Sequence, residues 1–353
     1  MLTFLAFIFV LGIAIIFHEF GHFITAKLSG IKVFRFSIGF GPKIAGFFWR
    51  GTEYLLCLFP FGGYVKMAGE DVHEEVSNYE ELKNNNNIPE EQRYDKKPFY
   101  IRALVIFNGP VMNIFLAILL LIIVFFFSGV AQVSSIISEV ESNSPADMAG
   151  IVSGDRIISI NSVEIEEPEQ ITILIDQNKG KEIIIEIMRN NDVHETKLIP
   201  IYNSEYDRAM IGIALDVKIT QLTVFESIEK AIQMVGEIIG LIGKGFVEII
   251  TGKMPVELAG PLGIAQMAGE AAKIGFLNLL FFTSVINIFL GIINLLPIPI
   301  LDGGQIALLA IEKIRGKPLK PEHINFLYII GLAMIVMIFL VAMYQDIVRI
   351  FSN

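Results

Sequence analysis

The stretch IIFHEFGHFI (residues 15–24) sets two histidines and a glutamate inside a run, Met1 to Ala26, that is otherwise almost wholly apolar. Apolar runs of 18 or more residues mark transmembrane helices, and three more occur, at roughly 102–128, 276–300 and 325–345. The whole chain of 353 residues is 53% hydrophobic and only 18% charged, with a mean hydropathy of +0.61. Ordinary soluble domains are less apolar and more highly charged. The expected fold class is an α-helical polytopic membrane protein with four transmembrane helices. The first helix has no basic segment before it and no small-residue cleavage site after it, so it reads as retained rather than as a signal peptide. The net charge of −10 offers no basic footprint for nucleic acid. A single cysteine, Cys57, excludes an internal disulfide and any cysteine-based metal cage.

Between the helices the composition changes in a readable way. Residues 1–30 form the first spanning helix, and residues 31–70 mix aromatic and β-branched residues with turn glycines. That pattern predicts hairpin strands. Phe47, Phe48, Trp49, Phe59 and Phe61 are too apolar for an ordinary loop, so a membrane-embedded β-hairpin or small sheet over 33–68 is expected. Residues 71–99, with NNNN at 84–87, read as a flexible polar cytoplasmic loop, and 100–130 as the second spanning helix. Residues 131–217 alternate short β-rich runs with polar turns and read as a small soluble α+β domain. Residues 218–274 read as an amphipathic interfacial helix, centred on 221–252, and a linker. Residues 275–316 hold the third spanning helix, broken by the prolines of INLLPIPILDGGQ, and 317–353 the fourth. Lysines and arginines cluster after helix 1 and between helices 3 and 4. The positive-inside rule then makes both loops cytoplasmic and the 131–217 domain extracytoplasmic.

His18 and His22 are four apart and share one face of a helix. That spacing lets two imidazoles grip one zinc ion, with Glu19 beside them to take a proton from water. Ionisable groups inside a spanning helix are costly and are functional candidates by default. At 1.5 Å per residue His18 lies about 24 Å along the helix, within the bilayer on its cytoplasmic side. Catalytic zinc keeps three protein ligands and an open position. The other histidines, His73, His194 and His323, sit in hydrophilic segments. Asp302, a carboxylate at the end of an apolar run beside two glycines, is either the third ligand or merely the cap of the next helix. The presence of HEFGH favours the ligand reading, because a divalent cation compensates a buried carboxylate. Asn294 is either a packing amide or a donor to a developing oxyanion.

Together these residues resemble the site-2 protease family of intramembrane zinc metalloproteases, in its bacterial RseP-like branch. HEFGH matches the family's HExxH on its first helix, and NLLPIPILDGG (294–304) its NxxPxPxLDGG segment. FNGPVMNIFLA resembles the stretch on the second core helix, and AGPLGIAQ (259–266) the segment before the third. The resemblance implies one catalytic Zn2+ held by His18, His22 and Asp302, with Glu19 as catalytic acid/base. It also implies that Asn294, Pro297, Pro299 and Asn113 help position substrate. NSPADMAGIVSGDRIISINSVEI is similar to the pattern of a bacterial PDZ domain, with Ser162 where glycine is usual. The implied activity is cleavage of transmembrane segments of single-span membrane proteins, such as anti-sigma factors, or of signal-peptide remnants, in the bacterial inner membrane. A peptide or substrate segment is the expected partner of the PDZ domain. A metal transporter and an inactive PDZ adaptor are the rival readings: the first tolerates Glu19→Gln, and the second has no need of an intact HExxH and LDGG.

Overall fold

A computed structural model describes residues 1–70, 88–204, 206–253 and 259–352. In chain order its elements are α1 (Leu2–Leu28), β1 (Val33–Trp49), β2 (Thr52–Met67), α2 (Phe99–Ser128), β3 (Val130–Val140), α3 (Pro145–Met148), β4 (Arg156–Ile160), β5 (Val163–Glu164), α4 (Glu169–Gln177), β6 (Ile183–Arg189) and β7 (Asp192–Leu198). They continue with β8 (Ile201–Asn203), β9 (Arg208–Met210), β10 (Ile213–Thr220), α5 (Val224–Ile250), α6 (Pro261–Ile274), α7 (Phe276–Asn294), α8 (Asp302–Arg315) and α9 (Pro321–Ser352). The chain divides into two compact units, Met1–Phe127 with Thr223–Asn353, and Ser128–Leu222.

In the first unit α1, α2, α7 and α9 are long and apolar enough to cross a membrane. Their cores are knitted by small residues that let backbones meet, as helices in lipid require. Gly291 of α7 brings that helix against Ile114 and the Pro110 carbonyl of α2. Further along, Leu280 packs with Leu116, Leu120 and Val124, so α2 and α7 run antiparallel. Gly269 of α6 sits on Thr3 of α1, and Ala6, Val10, Ala268 and Leu279 close a core between α1, α6 and α7. The third apolar run stops being helical at Asn294, where Pro297 and Pro299 cannot continue the ladder.

β1 and β2 form more than a plain hairpin. Each strand bends, so residues 35–38 pair on one side with 63–66 and on the other with 53–56, which in turn pair with 45–48. The result is a small curled sheet whose base packs Val33, Phe36, Val65 and Met67 against Ala26 and Val105. Its far end exposes Phe47, Phe48, Trp49 and Phe59.

Two expectations need correction. Residues 71–87 of the expected flexible loop lie outside the described residues, but 88–98 are pinned rather than loose. Tyr94 N–H donates to the Ala68 carbonyl at 2.7 Å and Lys32 N–H to that of Gln92 at 2.9 Å. The Tyr94 ring joins the core beneath the sheet. The expected linker before helix 3 contains α6, a full helix packed on α1. Gly260 and Pro261 start it, proline being preorganised at a first helical position.

The second unit is built on an antiparallel sheet in the order β10–β3–β4–β6–β7, with β5 on β4. Ile137, Ile157, Ile160, Ile183, Ile185 and Ile187 fill its core with Ile171 and Ile175 of α4. The β4–β5 connection is a two-residue turn in which Asn161 (φ 50°) and Ser162 (φ 64°) are both left-handed. A tight hairpin turn of this hand requires positive φ at both central residues, which is why glycine is usual at that place. Buried Asp155 binds Arg189 through two hydrogen bonds of 2.7 Å and accepts the Val152 N–H at 2.8 Å.

Candidate metal centre

His18 and His22 project from α1 toward α2 and the start of α8. His22 Nε2 and His18 Nε2 are 3.2 Å apart. Asp302 Oδ2 lies 3.2 Å from His18 Nε2 and 3.7 Å from His22 Nε2. The three side chains are the ones whose ligand atoms all converge within 4.8 Å among the described residues. Zinc bonds to imidazole nitrogen and carboxylate oxygen are about 2.0–2.2 Å, so the edges of its tetrahedron are about 3.4 Å. The observed triangle has that size.

Hydrogen bonding decides which atoms carry lone pairs. His22 Nδ1 is 2.9 Å from the Val105 carbonyl of α2. A carbonyl only accepts, so Nδ1 holds the proton and neutral His22 presents a bare Nε2 to the centre. Asp302 Oδ2 is buried with no hydrogen-bond donor. A solvent-inaccessible carboxylate oxygen without a donor costs several kcal/mol unless a cation meets it. These donors therefore fit a zinc ion. The helix-cap reading of Asp302 does not fit: it occupies the first position of α8 behind Leu301, and its side chain makes no cap bond.

Backbone geometry brings Asp302 here. The Leu301 N–H bonds to the Ile298 carbonyl at 3.0 Å across Pro299 and Ile300. Ile300 has φ 88°, where a turn with proline second normally places glycine. Gly303 and Gly304 lie directly under the carbonyls of Leu295 and Ile298, and Gly331 of α9 abuts the Pro299 carbonyl. No side chain larger than hydrogen fits at any of the three.

Glu19 points to the neighbouring side of α1, where its carboxylate packs on Gly63 of β2. A Cβ at that glycine would stand 2.7 Å from Glu19 Cγ. The curled sheet thus borders the side chain expected to move protons. Asn294 ends α7, half-buried. Pro297 is exposed, and Pro299 is held against α9. Asn113 is buried in α2 with its Oδ1 unpartnered; it sits one turn beyond Gly109, on the same helix face.

Sequence reasoning singled out Asn113 on α2 but missed the glycine and backbone contacts by which that helix holds the site. Gly21 meets the backbone of Asn108, and Gly109 faces both imidazoles, with His18 Cε1 3.0 Å from where a Cβ would stand. The signal was the glycine itself: in a helix interior it costs about 1 kcal/mol against alanine, and so asks for a packing reason.

The chain is similar to known proteins over nearly its whole length. Residues 6–338 match the family model described as Peptidase family M50. Zinc metalloprotease RasP of Shouchella clausii is 30% identical, with 99% of this chain and all of the relative covered. The Bacillus subtilis regulator of sigma-W protease RasP is 29% identical, with 99% of each covered. Among solved structures, a PDZ domain of an SdrC-like protein from Listeria monocytogenes is similar to 24% of this chain, at 19% identity and a TM-score of 0.22, over 86% of its own length. With helices long enough to span a bilayer and a donor set that suits zinc, the chain belongs to peptidase family M50, the site-2 proteases, and is an intramembrane zinc metalloprotease.

Proposed function

We propose that His18, His22 and Asp302 hold the zinc, that Glu19 is the general acid/base, and that the substrate is a transmembrane segment of a single-span membrane protein. Anti-sigma factors and signal-peptide remnants are substrates of that kind. The observation that carries this reading is the 3.2–3.7 Å triangle of lone-pair atoms around a buried, donorless carboxylate oxygen.

Bound zinc acidifies water and polarises the scissile carbonyl. Glu19 accepts the proton of the attacking water as the new C–O bond forms. It then returns the proton to the leaving nitrogen as the C–N bond breaks. Gly63 at its flank keeps the carboxylate against the sheet edge. Asn294, Pro297, Pro299 and Asn113 position the substrate around that step.

A helical substrate resists hydrolysis because its carbonyls are already hydrogen-bonded. Among the described residues the segment 63–67 pairs only with β1, which supports its use as an edge to which an unwound substrate strand adds. The exposed aromatics at the far end of the sheet suit a membrane-embedded position. The domain boundaries follow the sequence reading: a PDZ domain over 131–217, extracytoplasmic, and a metal centre on the cytoplasmic side of a multi-pass bacterial inner-membrane protein. In the PDZ unit a narrow groove of about 70 Å³ between Ile171 and Ile175 of α4 and Ile211, Ile213 and Leu215 supports binding of an extended peptide.

The test is co-expression with single-span candidates already trimmed on the outer side. Glu19→Gln is expected to leave the trimmed precursor intact while the purified variant still carries stoichiometric zinc. A transporter would tolerate that change. Full cleavage by Glu19→Gln, or a wild-type protein without zinc, would overturn the proposal.

A further inference from the structure

The crossing of α1 and α2 carries a polar strap that the chemistry above does not use. Asn108 reaches from α2 with its Nδ2 at 3.2 Å from the Gly21 carbonyl and 2.6 Å from Thr25 Oγ1, both on α1. Thr25 Oγ1 in turn donates to the same Gly21 carbonyl at 2.9 Å. The network fixes the orientation of the amide. A carbonyl accepts only, and the threonine hydroxyl has spent its proton on that carbonyl, so both partners need a donor from Asn108. Thr25 is buried, and the contact lies where Gly21 already brings the two backbones together.

Register makes this strap relevant to the metal. Gly21 precedes His22, and Asn108 precedes Gly109, the residue that faces both imidazoles. The Val105 carbonyl that holds His22 Nδ1 lies three residues before Asn108 on the same helix. A slide or separation of the two helices at Asn108 therefore changes the His22–Val105 distance directly. Metal-ligating histidines are oriented by what their second nitrogen donates to, and loss of such a partner costs 10–100-fold in metal affinity or activity. Interhelical hydrogen bonds in lipid are individually weak. The strap is thus a poor source of general stability, and its effect is concentrated in register.

We propose that Asn108, with Thr25 as its acceptor, is a positioning residue for the zinc site: it locks the α1–α2 register so that the Val105 carbonyl holds His22 with Nε2 toward the metal. The inference rests on the zinc reading of His18, His22 and Asp302, and its test separates the two.

Full-length protein is purified in detergent, stripped, and titrated with zinc against a chelator. The cobalt form is followed by its visible ligand-field bands. Asn108→Asp keeps the shape and removes both donors. Thr25→Val keeps the shape and removes the acceptor, and so serves if the first variant does not fold. Asp346→Asn, at a polar contact remote from the metal, is the control for a purely structural loss. Zinc affinity is expected to fall 10–100-fold in Asn108→Asp and about tenfold in Thr25→Val, with shifted cobalt bands in both. The double variant is expected to be little worse than the worse single one. Asp346→Asn is expected to lower the unfolding temperature and leave the bands unchanged. The proposal is overturned if the strap variants that fold keep wild-type affinity and wild-type bands. Failure of the zinc reading itself looks different: the wild type then shows no stoichiometric metal and no bands.

Discussion

Replacing Gly109 with alanine sets two physical effects against each other. Helix propensity favours the change by about 1 kcal/mol, since glycine in a helix interior costs roughly that much. Sterics oppose it. The new Cβ would stand 3.0 Å from His18 Cε1, and closer still to the His22 ring. Carbon contacts are comfortable at about 3.5–4.0 Å, so the rings must retreat by the order of 1 Å. His22 has nowhere to go, because its Nδ1 is held at 2.9 Å by the Val105 carbonyl on the same helix as the intruding methyl. Metal sites tolerate about ±0.2 Å in ligand distance, and a 1 Å misplacement around a reacting centre costs on the order of 10²-fold. Gly109→Ala should therefore lose at least about 100-fold in zinc affinity, roughly 2.7 kcal/mol at 1.36 kcal/mol per tenfold. It should lose cleavage of a single-span reporter in parallel, while the unfolding temperature of the metal-free protein changes little or rises. Chelator competition and an unfolding scan in the same detergent measure both. Zinc affinity within threefold of wild type would refute the reasoning, since it would mean that the imidazoles are not fixed against α2.

Three further outcomes follow from other parts of the structure. Tyr64→Pro, on the 63–67 edge beside Glu19, should slow cleavage several-fold with zinc content unchanged, as seen by gel assay and metal analysis; loss of zinc would show that the sheet holds the metal site rather than the substrate. Asp346 accepts the N–H groups of Gly260 at 3.1 Å and Gly263 at 2.8 Å, at the start of α6. Asp346→Leu leaves those donors buried and unmet, which should cost about 1–3 kcal/mol and appear as a lower unfolding temperature and faster hydrogen exchange at 260–264. In the second unit, burial alone would raise the Asp155 carboxyl, but the Arg189 hydrogen bonds and the Val152 N–H outweigh it and hold it below the usual carboxylate range. Its stabilising effect is then complete above about pH 4 and lost as pH falls through the lowered value. Amide protection across β6 and β7 of the full-length protein, taken relative to the intrinsic exchange rate at each pH, should fall between pH 4 and pH 2 in the wild type, and already be low at pH 6 in Asp155→Ala.

Much of this architecture was legible because lipid leaves a chain few options. Four apolar runs announced four long helices, and three ionisable groups in HEFGH announced chemistry, since hydrocarbon makes accidental charges expensive. The residues between 31 and 70 read correctly as strands from their aromatic and β-branched content. Their double pairing did not, because a bend at residues 39–43 is a tertiary event that no period of two encodes. Helix α6 reads as linker in the sequence because its short run of small residues, GPLGIAQMAGEAAK, has too weak an apolar stripe to announce itself. Gly263, Ala268 and Gly269 are buried there because they are small enough to lie against neighbouring helices, not because they are hydrophobic.

The larger omission was the backbone of α2, and its cause is physical. Sequence patterns reveal side chains that act. At this site much of the positioning is done by backbone: the Val105 carbonyl holds His22, and the carbonyls of Leu295, Ile298 and Pro299 sit on Gly303, Gly304 and Gly331. Every residue has a carbonyl, so identity says nothing about which one is used. What identity does record is the room those carbonyls need, and that appears as glycines in helices that would be more stable with alanine. Gly21, Gly109, Gly291, Gly303, Gly304 and Gly331 each mark such a contact. Ile300 marks the opposite case. Its positive φ is strained for a β-branched residue, at a cost of about 1–3 kcal/mol, and it stands two residues before Asp302. If the turn exists to aim that carboxylate, Ile300→Gly should relax the backbone, raise the unfolding temperature and loosen the aim. Zinc affinity should then fall even as the protein becomes harder to unfold. A variant that gained both stability and affinity would show that the strain serves no positioning role.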